Sequence, residues 1–127
     1  MSGWSTTHLD EITAANEPQW APIRHHFGIG AFGVNAWRGD AGDEVIGRHD
    51  EAGDGHEELY LVLSGHATFE VAGEQVDAPA GTLLFVGDPR LARAAVAPAD
   101  GTAVLTLGGW ADRAFVPSEW EASALGG

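Results

Sequence analysis

Short apolar runs separated by turn-forming residues constrain this chain more than any other feature of its sequence. From about residue 29 onward, mostly apolar runs of five to eight residues alternate with segments rich in glycine, aspartate and proline. Runs of this length and spacing are typical of short β-strands, and a series of them predicts an all-β sandwich or barrel. The predicted strands occupy 31–37, 44–49, 58–64, 67–71, 82–86, 92–97 and 102–109.

Local signals place turns and helices around these strands. The segment around Gly73 is typical of a tight hairpin in which glycine supplies the positive φ of the turn. Pro79 cannot donate a backbone hydrogen bond, so it marks a break before the next strand. Ser118 followed by Glu121 is a capping-box pattern that predicts a short C-terminal helix, and a second short helix is expected near 8–15.

Length and charge narrow the class of protein. A chain of 127 residues forms one domain with one core. The formal net charge of −13, from 19 acidic and 6 basic residues, argues against nucleic acids and anionic membranes as partners. The absence of cysteine excludes disulfides and thiolate metal sites. Because the chain has neither a long apolar run nor a recognisable signal sequence, we expect a soluble cytoplasmic protein.

The predicted strand 58–64 is apolar on both faces, which bears on how the protein assembles. Leu59, Leu61 and Leu63 share one face, and Tyr60 and Val62 share the other. A strand buried on both faces needs a second covering layer, so we expect a homodimer. The expected parts of the chain are an N-terminal extension that packs on the barrel or a partner, the barrel itself, and a C-terminal tail with the short helix: 1–28, 29–110 and 111–127.

The acidic residues concentrate beside two histidines. Eight of the 19 fall within 40–58, where His49 and His56 also lie. If 44–51 and 56–63 are paired antiparallel strands, Glu51 shares a face with His49, and Glu58 shares one with His56. Cross-strand neighbours have Cβ atoms about 5 Å apart, so the two imidazoles and two carboxylates can converge. These are ligands for Zn, Fe, Mn, Ni or Cu, whereas the alternative is a solvated acidic hairpin that binds nothing.

At these residues the sequence resembles the cupin superfamily, over about 42–109. The first motif of that superfamily corresponds to Gly42, His49, Glu58 and Gly65, with Glu51 where its second histidine belongs. The chain departs from it by one extra residue after Gly42 and by a longer gap before Glu58, in which His56 lies. The second motif is matched by Gly73, Pro79 and Gly81, but its histidine and asparagine positions hold Leu84 and Asp88. The resemblance implies a cupin-like jelly-roll β-barrel with a pocket for a small molecule in its mouth.

The resemblance also implies a divalent metal, held in the superfamily by three histidines and one glutamate. Only His49 and Glu58 match that set residue by residue, and Leu84 cannot ligate. Either Glu51 or His56 completes the set, or the barrel has lost its metal. Two functions follow: a metal-dependent enzyme of oxygenase, isomerase or lyase type, or a metal-free small-molecule binding or sensor module.

The orientation of the strand carrying Glu58 decides whether this carboxylate reaches the site. Amphipathicity alone would put Leu59, Leu61 and Leu63 inward together with Glu57, whereas the motif puts Glu58 inward. We follow the motif. A carboxylate inside the barrel then needs a metal, an arginine, a set of hydrogen bonds or a bound proton, because an unpaired buried charge is costly.

The remaining candidate residues are assigned by residue type. Tyr60 and Glu51 are candidates to move protons in a catalysed reaction. Arg93 either binds a ligand carboxylate or is an ordinary surface charge. His66 is expected to be exposed, and His25 and His26 to lie on opposite sides of a strand. The candidate pocket residues are Asn35, Trp37, Leu84, Phe85 and Arg93.

Overall fold

The computed structural model describes residues 3–125, so the first two residues of the predicted N-terminal extension and the last two of the tail lie outside it. A three-residue turn of 3-10 helix, Leu9–Glu11, precedes the first strand. The remaining elements in chain order are β1 Trp20–Ala21, α1 Ile23–Phe27, β2 Gly33–Gly39, β3 Glu44–His49, β4 Glu57–Ser64, β5 His66–Val71, β6 Glu74–Pro79, β7 Leu83–Val86, β8 Arg93–Val96, β9 Thr102–Gly109 and α2 Glu119–Ala124.

The strands form two antiparallel sheets, which confirms the all-β prediction. One sheet has the order β1-β2-β9-β4-β7 and the other the order β3-β8-β5-β6. The chain crosses repeatedly from one sheet to the other, as in jelly-roll folds. None of the helices among residues 3–125 is long and apolar enough to cross a membrane.

The core lies between the inward faces of the two sheets. Tyr60 and Val62 of β4 are each 1% exposed, and Phe69 of β5 is completely buried. The rings of Tyr60 and Phe69 meet edge to face with centroids 5.5 Å apart, which ties one sheet to the other. Val45 and Ala95 belong to the same buried cluster and come from the four-stranded sheet.

The inward position of Tyr60 and Val62 confirms the motif-based orientation of β4. Glu58 shares their face, whereas Leu63 on the opposite face is 43% exposed. Leu59 pairs with Phe85 of β7 on that outer face, and Phe85 is 60% exposed. Amphipathicity would have given the wrong orientation, because the outer face of this strand is as apolar as the inner one.

The predicted pairing of 44–51 with 56–63 is wrong. β3 pairs with β8 in the four-stranded sheet, while β4 lies between β9 and β7 in the five-stranded sheet. The segment 50–56 therefore crosses from one sheet to the other and does not close a hairpin. The residues at the two ends of this segment lie on facing sheets. Their side chains therefore converge across the interior and not across a hairpin.

Two predictions for the N-terminal region also need correction. His25 and His26 lie in helix α1, which ends at Gly28 with a left-handed φ of 69°, and not in a strand. The helix expected near 8–15 is only the turn Leu9–Glu11, in which the side chain of His8 accepts a hydrogen bond from the backbone N–H of Asp10.

Near the C-terminus, α2 forms as predicted but without the capping box. Ser118 has the extended N-cap conformation, yet its hydroxyl donates to Asp54 Oδ2 at 3.2 Å. The Glu121 carboxylate accepts from Arg24 Nε at 2.6 Å, at a site where both side chains are largely buried. Tertiary partners therefore replace the local capping contacts and hold α2 against the sheets.

The hairpin between β5 and β6 follows its prediction. Ala72 and Gly73 form the two-residue turn with φ values of 51° and 85°. Positive φ at both positions is the geometry of a type I′ turn, whose twist matches that of the flanking strands. Pro79 ends β6 and marks the predicted break.

Candidate functional site

A cavity of about 660 Å³ opens between the two sheets, and the candidate ligand groups line it. His49 is the last residue of β3, and Glu58 is the second residue of β4. Glu51 and His56 come from the connection between these strands. The cavity therefore receives side chains from both sheets and from the segment that joins them.

Glu58 is the centre of a buried polar network. Its Oε1 accepts hydrogen bonds from Arg93 Nη1 at 2.9 Å and from Tyr60 OH at 2.6 Å. Burial opposes ionisation of this carboxyl, but the contacts with His49 and Tyr60, helped by the Arg93 charge, lower its pKa. Glu58 is therefore an ionised carboxylate inside the fold, with the arginine and hydrogen bonds that the sequence analysis required.

His49 presents one ring nitrogen to the carboxylates and uses the other for orientation. Its Nδ1 lies 2.7 Å from the backbone carbonyl oxygen of Gly47, which favours an Nδ1–H donor. Its Nε2 lies 3.2 Å from Glu51 Oε2 and 3.6 Å from Glu58 Oε1. Hydrogen bonding to Glu51 and then to Glu58 outweighs burial and raises the pKa of His49 to about 10.

His56 lies deeper than His49. It is 5% exposed and packs edge-on against Trp110, with ring centroids 4.5 Å apart, and against Phe115 at 5.6 Å. Its Nδ1 lies 3.6 Å from Glu51 Oε1, while its buried Nε2 has no hydrogen-bond partner among residues 3–125. Glu51 thus stands between the two histidines with one oxygen towards each.

These donor atoms have the spacing that a shared metal ion requires. Donors bound to one tetrahedral ion lie about 3.4 Å apart. Here the separations from Glu51 to each histidine and from His49 to Glu58 are 3.2–3.6 Å. Two overlapping groups have donor atoms within 4.8 Å of one another: His49, Glu51 and Glu58, and Glu51, Asp54 and His56. The residues present therefore fit a divalent cation with nitrogen and oxygen ligands.

The Tyr60 hydroxyl donates a hydrogen bond in this network and does not act as a base. Burial, and then the charge and hydrogen bond of Glu58, raise the pKa of the phenol well above its ordinary value of 10. The phenol therefore stays protonated and holds Glu58 in position. Glu51 is the other residue predicted to move protons, and it lies between His49 and His56.

The five predicted pocket residues occupy different environments. Asn35 and Trp37 line the cavity, and Asn35 Oδ1 accepts from Trp20 Nε1 at 2.8 Å. Leu84 is the cross-strand neighbour of Tyr60 and packs against the core, so β7 offers no third ligand. Phe85 lies on the outer face, outside this cavity, because alternate residues of β7 point to opposite sides.

Arg93 has neither of its two predicted roles, which were binding a ligand carboxylate and being an ordinary surface charge. Its side chain is completely buried, which excludes a surface charge, and it binds the chain's own Glu58 rather than an incoming carboxylate. Cross-strand pairing with His49 brings it to this position. Within the described part of the chain, the Nε atom of Arg93 has no hydrogen-bond partner.

The sequence analysis missed a cluster of three tryptophans at the cavity. Trp20 and Trp37 stack with ring centroids 5.8 Å apart and an interplanar angle of 9°. Trp120 of α2 lies 5.3 Å from Trp20 and 6.4 Å from Trp37. Only the C-terminal capping pattern hinted at a helix here, and nothing in the local sequence places it over the cavity.

No protein-family model and no curated protein sequence matches the chain, but solved structures match its fold. A cupin protein from Bacteroides fragilis is 19% identical, with a TM-score of 0.70 and 93% of each chain covered. An RmlC-like cupin from Shewanella frigidimarina is 23% identical, with a TM-score of 0.53 and 65% and 70% of the two chains covered. A predicted oxalate decarboxylase from Thermotoga maritima is 20% identical, with a TM-score of 0.55 and 67% and 71% covered. The chain therefore has the cupin fold, as its motifs indicated.

Proposed function

We propose that this protein binds a small molecule in the cavity between its sheets, at a divalent metal ion held by His49, Glu51 and Glu58. The observation that carries the proposal is the convergence of three donor groups within 4.8 Å on the cavity wall. A concave site with a few convergent polar groups is where small-molecule chemistry ordinarily takes place. The cupin fold alone does not specify the function, so the argument rests on the site.

The bound metal would supply Lewis acidity or a site for oxygen, as an enzyme of oxygenase, isomerase or lyase type requires. The chain's own residues set the rest of the environment. Arg93 and Tyr60 hold the Glu58 carboxylate in place, and the Gly47 carbonyl oxygen orients the His49 ring. Glu51 directs Oε2 towards His49 and Oε1 towards His56, and Oε1 is the candidate to take up a proton.

Elemental analysis of protein purified without a histidine tag tests the metal directly. We expect about one zinc, iron, manganese, nickel or copper ion per chain, as one shared site requires. His49→Ala should remove it. His66→Ala is the matched control, because His66 pairs with Asp77 on β6 and does not line the cavity. Substoichiometric metal in the wild type, unchanged by His49→Ala, would refute the proposal.

A metal-free binding module is the second candidate, favoured by a different observation. Arg93 already neutralises Glu58, and Leu84 stands where the superfamily has a histidine. On this alternative an organic ligand that co-purifies should raise the melting temperature while divalent ions should not. A melting shift induced by zinc and abolished by both His49→Ala and Glu58→Gln would reject it.

We further propose that the outer face of the five-stranded sheet is the contact of a homodimer. Leu83 and Phe85 of β7 are 63% and 60% exposed, and they adjoin the half-buried Leu59 and Leu61 of β4. An apolar patch of this kind on a sheet face is typical of an interaction surface. Sedimentation should give a dimer for the wild type and a monomer for Leu83→Glu, whereas a wild-type monomer in dilute solution would exclude the dimer.

A further inference from the structure

The walls of the cavity carry a one-sided charge. Of the residues that the structure describes, seven carboxylates line it, and the basic side chains there are Arg48, His49 and His56. Arg48 is already paired with Glu70 on the neighbouring β5. Electrostatic focusing in a cleft of one sign raises the local concentration of ligands of the opposite sign.

Several of these carboxylates have no cation to balance them. Glu58 is paired with Arg93, Glu121 with Arg24, and Glu51 with His49. Among residues 3–125, the remaining four have no ion pair with an arginine or a histidine: Glu17, Glu44, Asp50 and Asp54. A divalent ion at His49, Glu51 and Glu58 would leave these four uncompensated.

Aromatic faces line the same cavity. Trp37 and Trp120 both contribute to its wall, with ring centroids 6.4 Å apart and an interplanar angle of 39°. Each indole ring presents a negative π face that attracts an organic ammonium group, and carboxylates line the same cavity. The Arg24–Glu121 ion pair fixes the helix that carries Trp120.

A buried polar atom supplies an independent sign that a ligand belongs here. His56 lines the cavity, is 5% exposed, and has an Nε2 without a hydrogen-bond partner among the described residues. An unsatisfied buried polar atom is costly, so native sites ordinarily satisfy it. If the ring proton lies on Nδ1, which is 3.6 Å from Glu51 Oε1, then Nε2 is an acceptor for a ligand N–H or O–H group.

From these observations we propose that the small molecule bound in the cavity is an organic cation, with an ammonium group held against Trp37 and Trp120 in the field of the unpaired carboxylates. The inference rests on the proposed binding of a small molecule in this cavity and not on the metal. It predicts that carboxylate and phosphate compounds are not the preferred ligands, because no unpaired arginine among residues 3–125 lines the cavity to receive them.

Three probes of one shape and different charge test this inference. The first probe is choline. The second is its neutral analogue, an alcohol in which a carbon atom replaces the nitrogen. The third is the tert-butylacetate anion, an analogue that carries a carboxylate. Tryptophan fluorescence and melting temperature report binding to the full chain, measured with chelator and again with zinc. Choline should bind at least about tenfold more tightly than the neutral alcohol, and tert-butylacetate should bind least.

Variants at Trp120 and Glu44 test whether choline binds at the proposed place in the cavity. Trp120 is 47% exposed, so substitutions there are compatible with folding. Trp120→Leu should weaken choline binding by about tenfold, whereas Trp120→Phe, which keeps an aromatic face, should retain most of it. Glu44→Gln should weaken choline without affecting the neutral probe.

Equal binding of the three probes, a preference for the anion, or no binding of any probe would overturn the inference. Zinc titration of the same preparations keeps this result separate from the metal proposal. Zinc binding without a preference for choline rejects the organic cation alone. Choline binding without zinc binding rejects the metal alone.

Discussion

The two faces of β4 show how differently one strand can be used. Its inner face carries Glu58, Tyr60 and Val62, of which the last two are each 1% exposed. Its outer face carries Glu57 at the start of the strand and then three leucines, of which Leu63 is 43% exposed. A charged side chain therefore lies inside and a row of leucines outside, against the usual pattern. This difference is the basis for proposing a ligand site on the inner face and a homodimer contact on the outer face.

The largest effect should come from breaking the buried ion pair on the inner side. Arg93→Met leaves Glu58 without its arginine and should lower the free energy of unfolding by about 3 kcal/mol. Urea unfolding measures this loss. Adding Glu58→Gln should recover more than half of it, because the uncompensated carboxylate is then gone. A loss below about 1 kcal/mol would mean that Tyr60 and His49 hold Glu58 without Arg93.

A matched pair of truncations compares the two faces directly. Val62→Ala removes less side chain than Leu63→Ala, yet it opens a cavity in the core and should cost about 2 kcal/mol. Leu63→Ala should cost about 0.5 kcal/mol or less. Both substitutions should be made in the Leu83→Glu variant, so that a second copy of the chain does not cover the outer face. Equal costs would show that the outer face is packed within the single chain.

The smallest effect concerns the pH dependence of stability. Contacts with Glu51 and Glu58 raise the pKa of His49 from 6.5 to about 10. A raised pKa means that the protonated histidine stabilises the fold fully below about pH 6.5, and that this contribution is lost as the pH rises through about 10.

Melting temperatures of wild type and His49→Gln, measured in chelator from pH 6 to 10, check this dependence. The wild type should exceed the variant most at the acidic end, and the gap should shrink towards pH 10. His66→Gln provides the control for a histidine outside the cavity. Parallel curves for wild type and His49→Gln would show that His49 gains no charge stabilisation from the two carboxylates.

The fold was predictable because strand period and turn residues are local properties. The predicted bounds 44–49 and 102–109 coincide with β3 and β9, while β2 begins two residues later than expected. The prediction of how β4 is oriented depended on one spacing in the sequence, from Glu58 to Gly65. The structure explains that glycine: its φ is 69°, and a Cβ atom there would lie 2.6 Å from Thr102 Cα.

The partners within the site were not predictable from local pattern. Arg93 meets Glu58 across 35 residues of sequence, and it does so because β8 pairs with β3. Trp120 lies at the cavity on helix α2, whose Glu121 is bound by Arg24, 97 residues away in the sequence. The supposed β3–β4 hairpin predicted that these side chains converge, but for an incorrect reason, since β3 and β4 lie in facing sheets. Long-range pairing decides such contacts, and one sequence does not display it.

The most direct test of the account is a crystal structure of the zinc-loaded protein with anomalous diffraction at the zinc edge. We expect one strong peak per chain, within bonding distance of His49 Nε2 and of the carboxylates of Glu51 and Glu58. The same experiment on Glu58→Gln should show that peak weakened or lost. No peak inside the cavity, or peaks only at surface groups such as His66 and Asp77, would contradict a metal site between the sheets.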